Sequence, residues 1–86
     1  MTPLPAIRVL DQYFHEARSK LLDVAAIFDR ISRGAGAAEA QQDPRAAKLR
    51  LALEYLLSEA PNKAELIQQV FSLPYDPEWP RPQPRM

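Results

Sequence analysis

The sequence predicts an all-α chain: a long first helix, a shorter antiparallel second helix, a short third helix and an extended proline-rich C-terminal tail. Three observations carry this expectation. From Ile7 onward, apolar residues recur at alternating spacings of three and four, the signature of a helical seam. Prolines and glycines stand where helices begin and end. Of the last thirteen residues, five are proline, which suits neither helix nor central strand.

The first helix is read over about residues 6 to 33. Its seam is Ile7, Leu10, Phe14, Ala17, Leu21, Val24, Phe28 and Ile31, with Pro3 and Pro5 before it and Gly34 and Gly36 after it. At 1.5 Å per residue this is a rod of roughly 40 Å. Residues 34–43 are small and polar and serve as a connection, although their alanines suit a helical extension. Asp43 followed by Pro44 is a start signal, because the carboxylate accepts from free backbone N–H groups and proline tolerates the first helical position. The second helix is therefore read over about 44–60, with Ala46, Leu49, Leu53, Leu56 and Ala60 as its seam and Leu51 and Leu57 widening it. Pro61 interrupts it. Asn62, with Glu65 three positions on, resembles a capping box and opens a third helix over about 63–72 that carries Leu66, Ile67, Val70 and Phe71. Residues 1–73 thus form a helical domain and 74–86 a tail, extended and polyproline-II-like or disordered.

Length and charge bound the function. At 86 residues there is room for one small domain, whose core is marginal unless further area is buried. The chain has no cysteine, which removes thiol chemistry and fits a reducing compartment. Eleven Lys and Arg balance eleven Asp and Glu, so no global field draws the chain to nucleic acid or an acidic membrane. With no leader-like start and no long apolar run, a cytoplasmic location is expected, and the Ala- and Arg-rich composition resembles that encoded by GC-rich bacterial genomes.

The helix lengths point to a partner. A second helix of about 17 residues, near 25 Å, cannot cover a 40 Å seam. In an antiparallel hairpin it leaves Ile7, Leu10, Tyr13 and Phe14 bare. Either the third helix folds over them within the chain or a second chain does. The run Leu21 to Phe28 is apolar on nearly every side except at Asp23, more than one neighbour buries. Three helices around it, or two hairpins joined as a four-helix dimer, would suffice, and a self-associated or partner-bound form is favoured over a closed monomer.

Catalytic chemistry finds little support. His15 is the single histidine and has Gln12, not Glu, three residues before it, so the Glu-x-x-His pattern of bundle metal sites is missing. Glu16 with Lys20 and Asp29 with Arg33 are i,i+4 pairs of a solvated helix face. Gly34-Ala35-Gly36 follows a helix, whereas a dinucleotide loop follows a strand. No catalytic residue, cofactor or metal is expected, and the chain is read as a non-enzyme.

Two surfaces stand out instead. Tyr75 and Trp79 lie between prolines, where an aromatic on a pre-extended backbone makes a low-entropy anchor for a groove on another protein, or folds back onto the bundle. Arg30, Arg33, Arg45, Lys48 and Arg50 cluster around the connection, with Glu39 and Asp43 against them. The expected function is a protein-interaction module, a small accessory subunit or adaptor, contacting its partner or its own copy through Ile7, Leu10, Tyr13, Phe14, Tyr75 and Trp79. The alternative is a small regulatory nucleic-acid binder using the five basic residues on phosphates. No membrane partner is expected.

Overall fold

The computed structural model describes residues 3–74, 76 and 78. Among them the chain forms four helices and no strand: α1 (Ala6–Arg33), α2 (Ala37–Gln41), α3 (Pro44–Leu57) and α4 (Lys63–Ser72). It divides into two compact units, Met1–Ala37 and Ala38–Met86.

α1 occupies the range read from its seam. It opens on Pro5, whose carbonyl accepts from the N–H of Arg8 at 2.9 Å and of Val9 at 3.2 Å, and no side chain caps it. Arg30 and Arg33 in its last turn complement the negative end of the helix dipole. At its C-terminus the N–H of Gly34 donates to the Ile31 carbonyl at 3.2 Å. Gly34 itself has φ −74°, open to any residue. Gly36, at φ 74°, occupies the left-handed region where a Cβ is strained, so it is the glycine this turn requires.

The connection is more ordered than a loop. Ala37–Gln41 make a helical turn, closed by Gln42 N–H to Glu39 O at 3.0 Å and Asp43 N–H to Ala40 O at 3.1 Å. Alanine's high helix propensity explains why this segment coils.

α3 starts where Asp43-Pro44 places it. The Asp43 carboxylate accepts from the Arg45 backbone N–H at 2.8 Å, and from its guanidinium at 3.0 Å through Nε and 3.1 Å through Nη2. Those bonds hold the Asp43 carboxyl down at about 2, the side-chain bond contributing most. The helix ends at Leu57 and not near residue 60. Ser58 turns the chain out: its backbone is extended (φ −77°, ψ 172°), its hydroxyl donates to the Tyr55 carbonyl at 2.6 Å, and the hydroxyl oxygen accepts from the Ala60 N–H at 3.3 Å. A serine that satisfies the last turn with its own side chain competes with further helix.

α4 spans the expected residues but lacks the expected capping box. Asn62 (φ −119°, ψ 49°) departs from the extended geometry of an N-cap, and its side chain makes no bond to the helix backbone. Its amide instead donates to Glu65 Oε2 at 3.5 Å. Lys63 closes the preceding turn by donating to the Ala60 carbonyl at 2.8 Å.

In the second unit α3 packs against α4. Among the described residues, the buried apolar side chains are Leu51 (3 % exposed), Ala52 and Val70 (4 %), joined by buried Ser58. Half-buried Leu49, Leu53, Tyr55, Leu66 and Ile67 flank them. The buried face of α3 centres on Leu51, which the sequence placed beside the seam, with the seam residues Leu49 and Leu53 half-buried next to it. Leu56 and Leu57 are exposed, while Leu51, Tyr55 and Ser58, spaced by four and three, line the inner side. The apolar residues of α3 are spread around its circumference, so periodicity does not choose a face; the neighbour does.

Candidate interaction surface

The residues that distinguish this chain lie on α1. Ile7, Leu10, Phe14, Ala17, Leu21, Val24, Phe28 and Ile31 follow the three-four alternation that keeps them on one side of a 3.6-residue helix. The helix is strongly amphipathic, yet it contains no buried residue. Of the six contact residues read from the sequence, the four on α1 are exposed: Ile7 by 61 %, Leu10 by 55 %, Tyr13 by 49 % and Phe14 by 51 %. The bare stripe also runs beyond the N-terminal part, because Leu21 and Ile27 are exposed to 59 % and 50 %. Phe28 and Ile31 are half-buried.

Polar residues on the other sides of α1 form local pairs. Lys20 Nζ donates to Glu16 Oε2 at 2.8 Å, which raises the lysine pKa chiefly through that hydrogen bond. Arg33 lies 3.6 Å from Asp29. Both are the i,i+4 pairs expected of a solvated face. His15 stacks edge-on against Phe14, ring centroids 5.5 Å apart at 75°. Among the described residues no three His, Asp or Glu gather as a metal site would require. A shallow open surface lined by Leu4, Pro5, Arg8, Asp11 and Gln12 flanks the start of the helix.

Of the five basic candidates, Arg30 and Arg33 belong to the first unit and Arg45, Lys48 and Arg50 to the second. Three have partners within their own unit: Arg33 has Asp29, Arg45 has Asp43, and Arg50 donates from Nη1 to Gln41 Oε1 at 3.0 Å. The opposing charge for Arg45 is thus its own helix cap.

Tyr75 and Trp79 lie outside the described residues. Nearby, the Glu78 N–H donates to Asp76 Oδ1 at 2.9 Å, a local turn of the kind aspartate favours. No helix among the described residues is long and apolar enough to cross a membrane.

No protein-family model, curated protein or solved structure matches this chain. A row of large aliphatic and aromatic side chains lies exposed along one side of α1.

Proposed function

We propose that this chain is a non-enzymatic protein-interaction module, a small accessory subunit or adaptor, whose docking face is the apolar seam of α1. One observation carries the reading: a 28-residue amphipathic helix has no buried residue. Helices in proteins owe most of their stability to packing of the apolar face, and a contiguous apolar patch on a small domain marks an interaction site. Ile7, Leu10, Tyr13 and Phe14 head that face. Tyr75 and Trp79 are proposed as a second, aromatic contact, on the strength of their place among prolines. Nucleic-acid binding draws less support, since Arg33, Arg45 and Arg50 already meet acceptors of their own unit.

The test is site-specific photo-crosslinking in the producing cell, with a photoreactive phenylalanine in place of Phe14 on the seam or of Ser19 on the opposite side. Discrete higher-mass adducts are expected from the first position and not from the second. Equal labelling from both positions, or none from either, overturns the reading.

A further inference from the structure

Resting on that reading, we infer that the occupant of the α1 seam is α1 of a second copy of this chain, running antiparallel and centred on Ser19. In heptad terms Ile7, Phe14, Leu21 and Phe28 are the a positions, and Leu10, Ala17, Val24 and Ile31 the d positions. Antiparallel pairing sets a against d of the other copy. Ile7 then meets Ile31, Leu10 meets Phe28, Phe14 meets Val24 and Ala17 meets Leu21. Each layer combines a larger with a smaller residue or two of equal size, which fills space evenly. A parallel pair would instead stack Phe14 on Phe14 and, one layer on, Ala17 on Ala17, leaving the second layer empty beside a crowded first.

The flanks decide more sharply. Beside the seam, the g positions carry Tyr13 and Ile27, each about half exposed. The e positions on the other flank carry Asp11, Arg18, Ala25 and Ser32, with exposed Leu22 beyond them. In an antiparallel pair g meets g, so Tyr13 packs on Ile27 of the other copy on both sides of the centre. A parallel pair puts g against e, facing Tyr13 with Arg18 and Ile27 with Ser32, apolar on polar.

The area is sufficient. Six large side chains about half or more exposed, Ile7, Leu10, Tyr13, Phe14, Leu21 and Ile27, together offer on the order of 700 Å² per helix, close to the ~800 Å² per partner of a standard stable interface. The opposing feature is charge at the centre, where Lys20 meets its copy on one flank and Arg18 on the other. Lys20 is already drawn to Glu16 at 2.8 Å, which neutralises the first. Salt screens what remains, so the pair tightens as ionic strength rises.

The experiment uses the 86-residue chain, which has no cysteine of its own. Its mass is followed by light scattering over a concentration series, and nitroxide labels are then placed singly through Gln12→Cys, Ser19→Cys and Ala26→Cys, all on the side away from the seam. Twice the 9.8 kDa of one chain is expected, with the shortest interspin distance at Ser19. Gln12 and Ala26 should give equal and longer distances, their labels being separated along the axis by about 21 Å. Three equal distances mean a parallel pair and overturn the inference. So does a chain that stays monomeric at every concentration. If that monomer still gives Phe14-specific photo-adducts with a protein of another mass, the interaction-module reading survives while self-pairing is overturned. Circular dichroism of each cysteine variant checks that helicity is unchanged.

Discussion

The two units of this chain treat apolar residues in opposite ways. The first concentrates them on one long helix, in strict three-four order, and buries none of its helical residues. The second scatters them around α3, and still buries Leu51, Ala52 and Val70 between two short helices. Amphipathic order is therefore not the same thing as burial. A well-formed stripe records that a helix has a face to cover, whereas burial requires a neighbour, and the short turn at Ser58 to Asn62 gives α3 that neighbour in α4.

This contrast can be broken by paired truncations. Leu51→Ala removes a side chain that is 3 % exposed and should destabilise the second unit by about 2–4 kcal/mol, measured by urea denaturation. Leu10→Ala, at a bare position, should leave that transition where it is and act on association instead. Equal shifts from both would mean that α1 takes part in the folded core and would end the comparison.

A smaller effect is expected at Ser58, which is buried and joins Tyr55 to Ala60 through one hydroxyl. Ser58→Ala should cost about 1–2 kcal/mol and raise amide exchange at Ala60. An unchanged exchange rate would show that the backbone turn needs no help from the side chain.

The connection supplies a third test. Gly36→Ala forces a Cβ onto a residue at φ 74°, with an expected loss of about 1 kcal/mol. Gly34→Ala, at φ −74°, should be nearly neutral. If thermal melts cannot tell the two variants apart, the turn is not held in the left-handed geometry.

The smallest effect is a pH dependence at the start of α3. The Asp43 carboxyl is lowered from 3.8 to about 2 by its bonds to Arg45, so it favours the folded cap fully above about pH 4 and loses that contribution as pH falls through 2. Amide exchange at Arg45 should quicken over that window, and Asp43→Asn should flatten the response. A profile identical in the two proteins would remove the carboxylate from the cap.

The helical class was legible because its signals are local. Pro5, the seam and the glycine turn delimit α1; Asp43-Pro44 starts α3; Pro61 separates it from α4. Each acts through backbone geometry within a few residues. The four N-terminal contact candidates were legible as apolar residues, while the exposure of Leu21 and Ile27 was not, because it depends on which neighbour each helix finds. The early end of α3 was hidden for a related reason. Ser58 is an unremarkable residue in a sequence, and only its hydrogen bonds to Tyr55 and Ala60 turn it into a stop.

What this sequence determined by itself was where α1, α3 and α4 begin, how long the first one runs, and that its apolar residues share one side; periodicity and local start signals are properties of the chain alone. Only the tertiary structure decided which apolar residues are buried. Leu51 and Val70 are inside while Leu56, Phe14 and Leu21 are exposed, although all are apolar residues on helices. The reason is that burial is a relation between two surfaces, and a sequence pattern describes one surface at a time.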